Sequence, residues 1–139
     1  MIYRTLGRTG LEVSLVSYGS GGPSKLGQNT GLSSNDQDTL IHRCINEGIN
    51  MFDTSEAYGD SESILAHGLK DVPRDDYVIA TKCRYLDPSG AMRSAEDIAK
   101  SIENSLVRLN VYCVDVFQFH VFNSRHYFDV VDQQYPVLK

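Results

Sequence analysis

Basic clusters, long apolar runs and paired cysteines are all missing from this sequence, and each absence removes a class of function. Acidic residues outnumber basic ones, 18 against 13, for a formal net charge of −5. A partner held through phosphates needs a basic patch or stripe, and no run of Lys and Arg supplies one, so nucleic acid is not an expected partner. No apolar segment has the length of a membrane span, and the opening MIYRTLGRTG lacks the apolar core of a signal peptide. No membrane partner is expected either. The three cysteines, Cys44, Cys83 and Cys113, are odd in number and show no C-x-x-C spacing. Reduced thiols in a cytoplasmic protein fit them better than disulfides or a zinc site. His42, His67 and His126 have no companions at ligand spacing, so no metal is expected.

What is present suits one ordinary domain: 139 residues, of which 41 % are hydrophobic. The opening YRTLGRTGLEVS reads as a β-hairpin around Gly7-Arg8-Thr9-Gly10, and LVSYGSGG as a strand running into glycines. Ser34 with Gln37 has the spacing of a capping box, and Leu40, Ile41, Cys44 and Ile45 recur behind it at helical spacing, up to Gly48. INMF follows as a strand, then a short helix with Ile64, Leu65 and Leu69 on one side. Pro73 separates this from the strand YVIAT. A loop with Pro88 and Gly90 leads to a second capping box, Ser94 with Asp97, whose helix carries the stripe Ile98, Ile102, Leu106 and Leu109. VDVFQF is a further strand. In the tail FDVVDQQYPVLK, Pro136 argues against one unbroken helix and suits the first turn of a new one.

Strands alternating with helices predict an α/β fold with a parallel sheet, since parallel neighbours need a crossover. The continuous apolar character of YVIA and VFQF predicts burial on both faces. A doubly wound sheet and a (β/α) barrel both satisfy this order.

Three of the strands run into ionisable residues: INMF into Asp53, YVIAT into Lys82, and VDVFQF into His120. In parallel α/β folds all carboxyl strand ends lie on one side, where sites are built, so these groups converge on one rim. Tyr58 hangs over the same rim from the loop after Asp53. Each has an ordinary explanation alone: a loop acid, a solvated lysine, a core histidine in FQFHVF, a packing tyrosine. Together they favour a site.

The chemistry that needs this set is proton delivery to a carbonyl oxygen during hydride transfer. A free phenol titrates near pH 10, and a neighbouring ammonium favours the phenolate, so Lys82 can activate Tyr58 as a general acid while Asp53 holds Lys82. His120 can donate a hydrogen bond that orients the carbonyl. The hydride must come from a cofactor, because no side chain supplies one. Cys83, next to Lys82, points to the other face of its strand and reads as packing, as does Cys44 in its helix stripe.

At these residues the sequence resembles the aldo-keto reductases. The resemblance runs through YRTLGRTGLEVS, YGSGG, FDTSEAYG, the lysine of IATK and the histidine of VDVFQFH, nearly the whole chain, and FDTSEAYG is its most specific part. It implies a catalytic tetrad of Asp53, Tyr58, Lys82 and His120, with Tyr58 and His120 meeting a small carbonyl substrate. It also implies a (β/α)8 barrel of the TIM type, closed at its floor by the N-terminal hairpin, and use of NADPH. Gly21, Gly22 and Asp53 fall where the family's chain approaches the cofactor.

A complete barrel of this type has roughly 250 residues. Residues 1–139 are therefore expected to form an incomplete barrel domain, its first half, without the later loops that grip the cofactor. An open edge of that kind is expected to favour self-association, and an inactive chain acting as a binding or regulatory partner is the alternative to an oxidoreductase.

Overall fold

The computed structural model describes residues 1–138. Strands β1 (Tyr3–Thr5) and β2 (Glu12–Ser14) form the predicted antiparallel hairpin, with Tyr3 opposite Ser14 and Thr5 opposite Glu12. Four parallel strands follow in the order β3 (Tyr18–Gly19), β4 (Met51–Asp53), β5 (Val78–Arg84) and β6 (Val116–His120). Each new strand is added on the same side of the last. A doubly wound sheet would reverse at a switch point, whereas a barrel wall progresses in this way. The crossovers carry helices α1 (Ser34–Asn46), α2 (Ser61–Gly68) and α3 (Ala95–Leu109), and α4 (Tyr127–Gln133) follows β6.

Local chemistry sets the helix ends. The first capping box lies one residue earlier than the sequence spacing suggested: Ser33 is the N-cap, its Oγ accepts from Asp36 N, and the Asp36 carboxylate accepts from Ser33 N. Gln37 instead turns inward and donates to Leu26 O at 3.0 Å. A Ser-Ser pair offers two registers for a capping box. A carboxylate at the third helical position accepts the N-cap N–H as a negative charge, so Ser33–Asp36 wins. At the other end Gly48 takes φ +83°, which lets its N–H reach Ile45 O and Ile49 N–H reach Cys44 O. This αL closure absorbs the last carbonyls of α1. Ser94 and Asp97 cap α3 as expected.

The hairpin is fastened to the amino ends of the sheet strands through Asn50, the residue before β4. Asn50 Oδ1 accepts from Ser14 N at 2.7 Å, Asn50 Nδ2 donates to Glu12 O at 2.9 Å, and Asn50 N donates to Ser14 Oγ at 3.1 Å. It therefore closes the end of the sheet opposite to the strand termini that carry Asp53 and His120.

The core lies between the sheet and its helices, around Leu26, Ile41, Phe52, Leu65, Ile79 and Leu109. Two expectations about burial fail. Helix α3 faces the core with Ile98, Ser101, Ser105 and Leu109, while Ile102 and Leu106 are only half-buried. The small serines let the helix lie close and accept hydrogen bonds from Arg93 and Arg108. Strand β6 is not buried on both faces: Phe117 and Phe119 are half-buried and Gln118 is exposed, because among the described residues β6 pairs only with β5. Among those residues no helix is long and apolar enough to cross a membrane.

Among the described residues one charged group lies wholly inside. Glu62 of α2 has no exposed surface; its Oε1 accepts from Thr81 Oγ1 of β5 at 2.6 Å and its Oε2 from Arg108 Nε of α3 at 2.6 Å. Two helices and a strand are joined through this one carboxylate.

Candidate functional site at the strand ends

The register decides which side chains meet. Asp53 is opposite Ala80, Lys82 is opposite Gln118, and Arg84 is opposite His120. Residues two apart on a strand share a face, so Asp53, Lys82 and His120 rise from the same face near its carboxyl rim. Cys83 points to the other face, fully buried as expected. Burial, and next the charge of Glu56, push its thiol up to about 12, so it is not a nucleophile at neutral pH.

Lys82 Nζ donates to Asp53 Oδ1 at 2.5 Å and to Thr54 O at 2.7 Å. Only 12 % of the lysine side chain and 30 % of the aspartate is exposed, so water screens this pair weakly. The ammonium lies 5.2 Å from the centroid of the Tyr58 ring. Tyr58 Oη itself meets His120 Nε2 at 3.3 Å, and the two rings stand edge to face at 5.3 Å. All four tetrad candidates are thus gathered, with the phenol hydroxyl on the imidazole and the ammonium beside the phenol ring. Burial, followed by the charges of Lys82 and Arg84, lowers the His120 pKa from its ordinary value, against the opposing pull of Asp53 and Glu56. These influences together favour the neutral imidazole.

The glycines divide. A Cβ on Gly21 would stand 2.8 Å from the Tyr58 ring, so only glycine lets the backbone lie flat against the phenol. Gly22 adopts φ +65° with nothing within 4 Å of a Cβ, so its place is set by the turn and not by a neighbour.

Sequence reasoning missed the residues that hold this arrangement. Ser55, fully buried, donates from Oγ to Lys82 O at 3.0 Å and meets His120 Nδ1 at 3.0 Å. Gln28 clamps the Tyr58 loop: its Nε2 donates to Tyr58 O at 3.1 Å and to Ser61 Oγ at 2.9 Å, and its Oε1 accepts from Asp60 N at 2.9 Å. Glu56 fastens the same loop to Arg84 N and to Arg93. Neither Ser nor Gln in a loop carries a sequence signal for such roles; their partners lie about thirty or more residues away.

Beyond His120 the chain turns abruptly, with Val121 at φ +55°, a region that β-branched residues avoid. Strain of this kind concentrates at functional sites. Arg84, the loop 85–90, His120 and Val121 enclose a cleft of about 220 Å³. A larger groove of about 570 Å³ lies elsewhere, between β6 and α4, lined by Phe119, Phe122, Tyr127, Val130 and Tyr135 among others.

The sequence model of the Aldo/keto reductase family matches residues 19–139. The L-galactose dehydrogenase of Arabidopsis thaliana is 41 % identical over 142 residues, covering 98 % of this chain and 43 % of its own length. The 6-dehydroglucose reductase of Novosphingobium aromaticivorans is 34 % identical over 128 residues, covering 85 % of this chain and 41 % of its own. The chain therefore spans less than half the length of these curated relatives. A solved structure assigned to an aldo-keto reductase of Pseudomonas aeruginosa superposes with a TM-score of 0.81 at 31 % identity, over 99 % of this chain and 53 % of that one. The four-stranded sheet with its helices is accordingly part of a parallel (β/α) barrel, about half of it.

Proposed function

The chain belongs to the aldo/keto reductase family, and from that premise we propose that its strand-end site serves NADPH-linked reduction of a small aldehyde or ketone to an alcohol. The observation that carries this reading is the contact of Tyr58 Oη with His120 Nε2, 3.3 Å apart, beside the Lys82–Asp53 pair.

The residues present fit the redox end of such a cofactor. The backbone at Gly21 borders the Tyr58 ring with no side chain between them, Gly22 faces open space, and the one carboxylate of the tetrad is already matched by an ammonium. Gly21, Gly22 and Asp53 are the residues that would border it. When bound, the cofactor supplies the hydride, which no side chain can.

The chain's own part is to deliver and steer a proton. Tyr58 gives its phenolic proton to the carbonyl oxygen as negative charge develops there. As that proton leaves, the Lys82 ammonium stabilises the phenolate across a poorly solvated space. Asp53 and the Thr54 carbonyl hold two of the three Lys82 N–H donors, which fixes the ammonium in place. His120 flanks the position of the carbonyl oxygen and, 3.3 Å from Tyr58 Oη, holds the phenol hydroxyl in line. The reduced thiols, two of them buried, support a cytoplasmic setting.

A second reading is favoured by one observation, the apolar groove between β6 and α4, near which Phe128 and Val121 are also exposed. Here a second copy of the chain covers the groove and pairs with the edge of β6, and the protein acts by association instead of turnover. One experiment separates the two: NADPH consumption against a panel of small aldehydes and ketones, with sedimentation run on the same preparation. The first reading expects carbonyl-dependent consumption. A folded chain that consumes none and sediments as a concentration-dependent dimer would replace it with the second; a clean inactive monomer would remove both.

A further inference from the structure

We propose that Arg84 makes the strand-end site selective for carbonyl substrates that carry a carboxylate: a short oxo acid whose acid end the guanidinium holds while its carbonyl lies at Tyr58. The inference rests on the reductase reading for the reaction and adds the substrate class to it.

The charges at the rim pair off and leave one over. Lys82 is matched by Asp53, and Arg93 by Glu56. The Asp87 carboxylate is engaged by its own turn, where Oδ1 accepts from Ser89 N at 2.8 Å, Ser89 Oγ at 2.6 Å and Ala91 N at 3.0 Å. The main chain of Arg84 is fastened on both sides, its N–H donating to Glu56 Oε1 at 3.2 Å and its carbonyl accepting from Arg93 Nη1 at 2.8 Å. Its guanidinium has no hydrogen-bond or ion-pair partner among the described residues. This is an unmatched cation in a chain whose net charge is −5.

An exposed arginine is commonly a solvated surface group; position sets this one apart. Arg84 stands two residues beyond Lys82 on β5, so it shares the face of the tetrad lysine and lies about 7 Å further along the strand. Its partner in register is His120. The guanidinium is near enough for its charge to act on the imidazole, after burial and the charge of Lys82. Arg84 and His120 both border the cleft of about 220 Å³. One cleft is thus bounded by a tetrad side chain and by a guanidinium without a counter-ion.

A guanidinium presents its donors in a planar fork that matches the two oxygens of a carboxylate, and such charge-assisted bonds are stronger than those to a neutral oxygen. The rest of the wall includes Leu86 and Pro88, which suit a short carbon chain between the two ends. The volume is below the roughly 300 to 1,000 Å³ of sites for drug-sized ligands, so the acid is a small aliphatic one.

The test is an NMR titration that follows the arginine Nε–H signals, with Arg84 assigned through Arg84→Gln and no cofactor present. The probes are glutaric semialdehyde and, separately, its methyl ester, which keeps the aldehyde and removes the charge. The expected result is a saturable shift of the Arg84 signal with the acid alone, and acid binding about tenfold weaker in Arg84→Gln. In the NADPH assay the ratio of kcat/KM for acid over ester should fall by about the same factor in that variant, chiefly through KM for the acid. An Arg84 signal that answers the ester as it does the acid, or answers neither, overturns the proposal. So does a folded Arg84→Gln that binds the acid as tightly as the parent. Should the variant fail to fold, the comparison of acid with ester in the parent decides alone. Acid binding at Arg84 without NADPH consumption removes the reductase reading and keeps the carboxylate site, whereas consumption with acid and ester alike keeps that reading and removes this proposal.

Discussion

Tyr58→Phe is expected to lower NADPH-linked carbonyl reduction by about 10² to 10⁴ while leaving the fold intact. The magnitude is that of losing a positioned general acid. The phenol ring stays, and with it the edge-to-face contact with His120 at 5.3 Å and the ammonium of Lys82 at 5.2 Å. Only the hydroxyl goes. Its hydrogen-bond partner is His120 Nε2 at 3.3 Å, so the stability cost is that of one hydrogen bond, about 0.5 to 1.5 kcal/mol. Turnover and unfolding should therefore separate: kcat collapses and the melting curve barely moves. A variant as active as the parent would remove Tyr58 from the chemistry. A variant that simply unfolds would show that the ring contacts, and not the hydroxyl, had been disturbed.

The second large effect is structural and lies away from the rim. Arg108→Met is expected to destabilise the chain by about 3 kcal/mol, because it strips the cation from a carboxylate that has no exposed surface. The value is taken at the low end of the range for broken buried pairs, since 34 % of the Arg108 side chain is exposed and part of its charge is already screened. Glu62 Oε1 would keep Thr81 Oγ1 at 2.6 Å, one neutral donor against a full charge. For a chain of this size the melting temperature should fall by roughly 10 °C. Adding Glu62→Gln to Arg108→Met should return part of the loss, because the buried charge is then gone. If Arg108→Met proved neutral in urea unfolding, Glu62 would have to find another cation or water, and its role as the junction of α2, β5 and α3 would fall.

Much of this arrangement could be read in the sequence, and the reason is geometric. Asp53, Lys82 and His120 each stand at or near the end of a strand, and a parallel sheet puts all such ends on one rim whatever the loops do. Strand periodicity alone placed Cys83 on the face away from Lys82. The hairpin, the crossovers and the Ser94–Asp97 cap were legible because each rests on neighbours in sequence. What escaped was whatever depends on distant partners. Ser55 is an unremarkable serine until β6 brings His120 to it, and Gln28 is a loop amide until the Tyr58 turn folds over it. The buried face of α3 was misjudged by one step because serines at 101 and 105 carry no hydrophobic signal, yet their small size is what lets the helix approach. The half-exposed β6 was misjudged because an apolar run reports what a strand could bury, not how many neighbours it has.

The central claim is that the rim bearing Asp53, Tyr58, Lys82 and His120 is a nicotinamide-cofactor site, and its most direct test is a titration of the purified chain with NADPH followed by nicotinamide fluorescence. The account predicts saturable binding that is weakened by Gly21→Val, whose side chain would intrude on the Tyr58 ring, while the substituted chain keeps its cooperative melt. A folded parent chain with no saturable change would contradict it, and the apolar groove beside β6 would become the place to look for what this protein binds.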